Sequence, residues 1–172
     1  TGEGEQTTPC ATVSFRSDNF KIIIPFYCLF ADLPMRERLT PESRQESELR
    51  ITRMFGSQID FVVRHIDMKT KTVIADRLQA MAINFMRYWT PGRNGSKPEC
   101  YPGLLVEATV IARSTHTITL HALGVDQTLA LRRGDVQNEI SWTYISDLSK
   151  EFKIGQKVNC KFLSVATKEK TV

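Results

Sequence analysis

The chain has 172 residues, of which 41% are hydrophobic and 24% charged, with 9 glycines and 7 prolines. This balance is typical of a globular protein and excludes collagen-like, coiled-coil and disordered chains, and no apolar run reaches the ~18 residues of a membrane span. With 23 basic and 19 acidic residues the formal charge is +4, which permits a nucleic-acid partner without requiring one.

Two β-strands are predicted at the start of the chain. Apolar and polar residues alternate over Thr12–Phe15, so Phe15 is expected in the core. A polar turn follows and leads to a second strand over Lys21–Phe26. In that strand Ile23 is expected to point outward, and an exposed isoleucine suits a contact with another protein.

Two helices are predicted in the first half. One begins near Pro41, because proline suits the first helical turn and Ser43 with Glu46 has the spacing of a capping box, and it ends before Gly56. A second helix covers Arg77–Trp89, where apolar residues recur with helical period. We expect this apolar stripe to pack on the first domain; its members are Leu78, Met81, Ala82, Phe85 and Met86.

Proline and glycine then mark a linker over residues 90–102, which holds three prolines and two glycines. The predicted organisation is therefore a first domain over 1–89, including the helix 77–89, and a second domain over 103–172. Alternating segments predict further strands in this second domain. They cover residues 104–112, 117–120 and 127–131.

An internal repeat indicates that the two halves share one topology. Residues 56–73 and 155–172 align at a constant offset of 99 residues, and each contains a glycine, an alternating strand, a lysine-rich turn and a Thr-Val strand start. Thr12–Phe15 matches Thr117–Leu120 ahead of each hairpin. We expect the opening strand of the first domain and the last strand of the second to be missing or short. Identical pairs in the hairpins are Gly56/Gly155, Lys69/Lys168, Lys71/Lys170, Thr72/Thr171 and Val73/Val172.

The layout resembles the RNA-binding repeat of bacterial ribosomal protein S-one. Gly103–Val110 supplies an opening glycine and strand, Ile145–Leu148 is similar to an Ile-Ser-Glu-Leu segment, and Gly155–Val158 to a glycine step before a hairpin. In the first half Ile24–Leu29 stands where the family has Val-His-Ile-Ser-Glu-Leu. The resemblance covers most of both halves and implies OB-fold barrels. We therefore predict a mainly β protein of two tandem, five-stranded OB-fold barrels with short helices and incomplete terminal strands.

The positions that bind bases in this family differ here. The family stacks bases on two aromatic side chains, whereas the aligned residues are Ser114 and Thr117 in the second barrel, with Thr12 at the later position in the first. The family's histidine is replaced by Ala130 and Pro25. Stacking is worth about 1–3 kcal/mol per base, so binding without it has to rely on charge and hydrogen bonds.

A basic face of hydroxyl-bearing strands is the predicted binding surface. Alternation sends Thr117, Thr119 and His121 outward, edged by arginines that can hold phosphates; a merely solvated β-face would have the same pattern. Phosphates are expected along Arg113, His121 and Arg132, because these residues combine positive charge with outward strand positions. Trp142 either stacks a base or plugs the barrel end. The predicted nucleic-acid-binding residues are Arg113, His121, Arg132, Arg133, Trp142, Arg16, Lys21 and Arg64.

Catalytic and metal-binding patterns are not found in the sequence. The four cysteines include no C-x-x-C pair and the three histidines form no ligand cluster, so neither a metal nor a cofactor is predicted. Without a glycine-rich phosphate loop or a nucleophile elbow, an enzyme is not predicted either. The prediction is a cytoplasmic module that binds single-stranded RNA weakly, associated with translation or the ribosome and without a membrane partner. The alternative is a protein-interaction module of tandem OB barrels that docks on a larger complex.

Overall fold

In the part of the chain that the structure describes, β-structure dominates and each half contains a four-stranded sheet. A computed structural model describes residues 9–15, 19–30, 40–92, 94–130 and 145–163. The mainly β fold class is confirmed, and neither sheet closes on itself among these residues.

Packing divides the chain into two compact units. The first comprises Thr1–Arg53 and Ile59–Ala82, and the second comprises Met54–Gln58 and Ile83–Val172. The predicted domains, 1–89 and 103–172 around a linker at 90–102, stay a prediction.

The first sheet has the strand order β1-β2-β4-β3. Strands β1 and β2 are antiparallel, β2 and β4 are parallel, and β3 returns antiparallel to β4 with a bulge between Val63 and His65. Its core face carries the buried side chains of Ile24 and Ala75. The strands are β1 (Cys10–Val13), β2 (Lys21–Pro25), β3 (Val62–Asp67) and β4 (Thr72–Asp76).

Helix α1 (Pro41–Arg53) confirms the first predicted helix, but its cap is one turn earlier than expected. The backbone N–H of Ser43 donates to Thr40 Oγ1 at 3.2 Å, so Thr40 is the N-cap and Pro41 takes the first helical position. The hydroxyl of Ser43 donates to the Thr40 carbonyl at 3.1 Å. The predicted capping box of Ser43 and Glu46 is therefore wrong.

Helix α2 (Arg77–Trp89) has the bounds that its periodicity predicts, although its apolar stripe is not buried as expected. Phe85 and Met86 are 43% and 62% exposed, and the Phe85 ring stacks on Trp89 with centroids 5.8 Å apart. Trp89 is held by its indole N–H, which donates to the Leu123 carbonyl at 3.0 Å. The prediction that Phe85 and Met86 are core residues is wrong, because the helix buries Arg77 and Ala80 instead.

The second sheet is antiparallel throughout and has the strand order β7-β6-β5-β8. Its core is a buried cluster in which Ala108 and Val110 of β5 lie with Ile118 and Leu120 of β6 and with Leu148. The elements are β5 (Leu105–Arg113), β6 (Thr117–Ala122), β7 (Val125–Ala130), helix α3 (Leu148–Glu151) and β8 (Lys157–Lys161).

The paired glycines of the repeat have the same backbone conformation in both copies. Gly56 and Gly155 have φ values of +84° and +80°, a left-handed region in which a side chain would be strained. The segments that follow them differ, because residues 59–61 are irregular whereas the aligned residues 158–160 belong to β8. The two glycines therefore share a conformation, whereas the strand that the repeat predicts directly after each glycine begins later in the first copy than in the second.

Candidate nucleic-acid interface

The predicted interface residues are only partly covered by the structure. Arg113 and His121 of the second sheet, and Lys21 and Arg64 of the first, lie among the described residues. The other predicted residues, Arg16, Arg132, Arg133 and Trp142, lie outside them.

Arg113 is on the inner face of the second sheet. It pairs with buried Ile118, and directly opposed residues of antiparallel strands share a face. A bulge between Val110 and Ala112 shifts the register and inverts the alternation that the sequence suggests. The predicted outward position of Arg113 is therefore wrong.

The guanidinium of Arg113 is engaged by backbone carbonyls. Its Nη1 donates to the carbonyl oxygen of Phe152 at 2.7 Å and to that of Ser149. These carbonyls lie at the C-terminal end of α3, where helical partners are lacking, and a cation is favourable there. The contacts make Arg113 a residue that ties β5 to α3.

The outer surface of β6 and β7 carries the hydroxyl groups of Thr117, Thr119 and Thr128, and Ser114 lies beside them. We call these four residues the hydroxyl face. Thr117 and Thr119 alternate with buried residues of β6, which confirms their outward placement. Thr119 Oγ1 lies 2.9 Å from Thr128 Oγ1, and Ser114 Oγ lies 2.7 Å from Thr117 Oγ1. These hydroxyls are already hydrogen-bonded to one another.

Positive groups near the hydroxyl face are matched by carboxylates. His121 Nδ1 lies 2.7 Å from Asp126 Oδ1, with both side chains half-buried. Lys157 Nζ lies 2.5 Å from Glu107 Oε1, and Lys157 pairs with Thr109, which in turn pairs with His121 across the sheet. His121 and Lys157 could therefore bind phosphates only in competition with these carboxylates.

In the first sheet, Lys21 and Arg64 do not form one cluster. Lys21 pairs with Thr72 at the start of β4, whereas Arg64 lies at the bulge toward the other end of that strand. Arg64 Nη1 donates to Gln79 Oε1 of α2 at 2.8 Å. Both side chains are exposed, but only Lys21 lies beside further basic residues.

The turn between β3 and β4 presents two lysines next to Lys21. The carboxylate of Asp67 accepts from the backbone N–H of Lys69 at 2.9 Å and from the hydroxyl of Thr70 at 2.8 Å. The Thr70 hydroxyl and then the backbone N–H groups hold the pKa of Asp67 below its usual range. The turn is thereby fixed, and the backbone N–H of Lys21 donates to the Lys71 carbonyl at 2.9 Å.

We call Lys21, Lys69 and Lys71 the lysine patch. All three side chains are exposed, and in the described part of the chain none makes an ion pair with a carboxylate. Sequence reasoning missed Lys69 and Lys71 as binding residues, although a signal was present. Both lysines are identical in the second copy of the repeat.

The thiols are poorly suited to nucleophilic chemistry. Burial, and then the Asp76 carboxylate, raise the pKa of Cys28 to about 11. Burial also raises the pKa of Cys10, Cys100 and Cys160. A thiol with a raised pKa is protonated at neutral pH and is a weak nucleophile.

The described segments contain neither a group of metal-binding side chains nor a helix that could span a membrane. Their histidine, cysteine and acidic side chains form no group of three or more that could hold a metal ion. None of their helices is long and apolar enough to cross a membrane.

No protein-family model and no curated protein matches the chain.

Proposed function

We propose that the chain is a non-catalytic, cytoplasmic module that binds single-stranded RNA through the lysine patch. The observation that carries this proposal is the convergence of Lys21, Lys69 and Lys71 on a fixed turn, exposed and without carboxylate partners in the described residues. Unpaired lysines attract phosphates and release counterions when they bind them. An association with translation or the ribosome rests on the resemblance to the S-one repeat.

The strand orders support an OB-type barrel in each half. If β5, β6, β7 and β8 are barrel strands one to four, the second sheet supplies the order 3-2-1-4. If β1, β2, β3 and β4 are barrel strands two to five, the first sheet supplies 2-3-5-4, with a parallel pair between three and five. The two orders overlap into the single closed ring 4-1-2-3-5-4. Two copies of one five-stranded barrel, each lacking a different strand among the described residues, account for both sheets.

Binding at the lysine patch would depend mainly on charge. A lysine ammonium is a mobile point charge that contacts phosphate without reading a base. The aligned stacking positions carry Thr12, Ser114 and Thr117, which offer no aromatic platform for bases. We therefore expect affinity that is steeply salt-dependent and largely indifferent to base sequence.

The alternative function, a protein-interaction module, is favoured by a different observation. Ile23 does pair with Thr12 and Ile74 across the outward face, but it is half-buried rather than exposed. Exposed apolar side chains lie in outer strand β3 and just after outer strand β1; they include Val63 and Ile66 of β3 and Phe15 after β1. They do not belong to the lysine patch, so the two functions can be tested separately.

The proposal is tested by the salt dependence of binding to a labelled oligouridine strand, measured by fluorescence anisotropy. The variant Lys21→Gln/Lys69→Gln/Lys71→Gln removes the lysine patch. Its logarithmic salt slope should be shallower than that of the wild type by about 0.7 for each lost phosphate contact. The control Lys97→Gln/Lys150→Gln/Lys153→Gln removes the same charge from exposed positions elsewhere.

Three outcomes separate the possibilities. A slope changed only by the lysine-patch variant supports RNA binding at this site. Equal changes in both variants would show that net charge, rather than this patch, attracts the strand. No binding by the wild-type protein at low salt would refute the proposed function itself.

A further inference from the structure

In the second sheet, strand β5 lies between β6 and β8. It pairs with β6 on one side and with β8 on the other. Its side chains Ala108 and Val110 belong to the buried cluster that also holds Ile118 and Leu120 of β6. Those β6 residues are therefore covered by the neighbouring strand.

In the first sheet, the repeat matches β1 to β6 and the segment that leads into β3 to β8. Between β1 and β3, however, the described residues supply no strand that corresponds to β5. Thr12–Phe15 matches Thr117–Leu120 of β6, and residues 59–63 match 158–162, which begin in β8. These segments belong to or adjoin β1 and β3, the two outermost strands of the order β1-β2-β4-β3. Among the described residues, no strand pairs with their outer sides.

The core-facing residues at these two edges are uncovered. Val13 pairs with buried Ile22, and alternation places Phe15 on the same side of the sheet as Val13. Phe15 is nevertheless 61% exposed, whereas its counterpart Leu120 in the repeat is 7% exposed. Val63 pairs with fully buried Ala75 and is nevertheless 48% exposed. The exposure therefore falls on the core face and not on the solvent face of the sheet.

The two edges also approach each other. The rings of Phe15 and Phe61 meet edge to face, with centroids 6.0 Å apart, although they adjoin opposite ends of the strand order. Strands that flank one vacant strand position are about 10 Å apart, twice the usual strand spacing. Two phenylalanine side chains can meet across such a gap, so the geometry fits a space one strand wide.

We infer that the first sheet accepts one added β-strand between β1 and β3, supplied as an extended peptide with aliphatic residues at alternate positions. The chemistry of the occupant follows from the second sheet, where β5 presents Val106, Ala108 and Val110 to the interior from the corresponding place. Backbone hydrogen bonds to the open edges would provide affinity, and the alternate apolar side chains would cover Phe15 and Val63. This surface is separate from the lysine patch and does not depend on RNA binding.

The probe is a labelled peptide with the sequence of residues 104–113, which contains β5. It should bind the full chain in a fluorescence anisotropy titration. The peptide variant Val106→Lys/Val110→Lys places charge on the core-facing side and should bind at least tenfold more weakly. The matched variant Leu105→Lys/Thr109→Lys adds the same charge to the opposite face and should bind like the unmodified peptide, since Leu105 is exposed in β5.

The location is tested in the protein. Val63→Asp should abolish peptide binding, whereas Leu105→Asp, which changes an exposed outer residue of the second sheet, should leave it unchanged. Absence of peptide binding, or equal binding of the two charged peptides, would overturn the inference regardless of how the protein variants fold.

Sedimentation tests whether a second copy of the chain occupies the space between β1 and β3 instead. A dimer that the peptide fails to dissociate would also overturn the inference. None of these outcomes bears on RNA affinity, so failure here leaves the proposed function standing.

Discussion

Phe15 in the first sheet and Leu120 in the second occupy matching positions of the internal repeat, but their exposed fractions are 61% and 7%. Both residues continue the same inward alternation. Leu120 is covered because β5 pairs beside β6, and no described strand pairs in that place beside β1. The comparison shows that alternation decides which face a side chain takes, whereas a neighbouring strand decides whether that face is buried.

The two sheets also differ in whether their basic side chains have carboxylate partners. In the second sheet, Lys157 is matched by Glu107 and His121 by Asp126. In the first sheet, Asp67 uses its oxygens to fix a turn through Thr70 and the backbone, so the adjacent lysines have no carboxylate partner in the described residues. His121 and Lys157 of the second sheet thus have carboxylate partners, whereas the lysine patch of the first sheet has none among the described residues.

The largest expected effect is the difference in free energy of unfolding between variants truncated at Leu120 and at Phe15, the two positions that the repeat matches. Leu120→Ala should lower the free energy of unfolding by about 2–5 kcal/mol, because it leaves a cavity in a packed cluster. Phe15→Ala should cost less than about 1 kcal/mol, since an exposed side chain leaves no cavity. Denaturant unfolding of both variants measures the difference. Equal losses would show that Phe15 is covered in solution and would remove the contrast between the sheets.

A smaller effect is expected from Arg113 and Arg64, two arginines that the sequence predicts to bind RNA. Arg113→Ala should destabilise the second unit by about 2 kcal/mol, because charge-assisted hydrogen bonds contribute about 1.5–3 kcal/mol and two carbonyls lose their donor. Arg64→Ala, which removes one exposed contact to Gln79, should change stability by less than about 0.5 kcal/mol. Thermal unfolding of both variants provides the comparison. A stable Arg113→Ala protein with a shallower RNA salt slope would restore Arg113 as a phosphate contact.

The smallest expected effect is an acid-sensitive contribution from one carboxylate in each unit. Asp67 fixes the turn of the first, and Asp147 caps α3 in the second by accepting from the Ser149 backbone N–H at 2.9 Å. Hydrogen bonds, from Thr70 and Ser149 respectively, hold the pKa of each carboxylate below the usual value for aspartate. Because the folded pKa is lower than the unfolded one, the stabilisation is present above about pH 4 and is lost as the pH falls through the folded value.

The variants Asp67→Asn and Asp147→Asn should therefore flatten the decline of the melting temperature between about pH 5 and pH 2. Glu99→Gln, at an exposed position, is the charge-matched control. An acid decline that both aspartate variants leave intact would show that neither turn depends on its ionised carboxylate.

Much of the secondary structure could be predicted because it depends on local chemistry. The bounds of α2 follow from the helical period of its apolar residues, and α1 ends before Gly56 as predicted. The position of Arg113 could not be predicted, because a bulge leaves no reliable mark on an alternating sequence. The exposure of Phe15 depends on which strands become neighbours, and the pairing of His121 and Lys157 depends on which carboxylates do. Alternation within a single sequence specifies neither.

The most direct test of the account compares backbone hydrogen exchange in β1 and β6 by NMR. Strand β6 has a partner on each side, so its amides should exchange slowly along the whole strand. Strand β1 pairs only with β2 among the described residues, and in an antiparallel pair alternate residues direct their N–H groups away from the partner. Every second amide of β1 should therefore exchange rapidly. Slow exchange along all of β1, matching β6, would contradict an open edge in the first sheet.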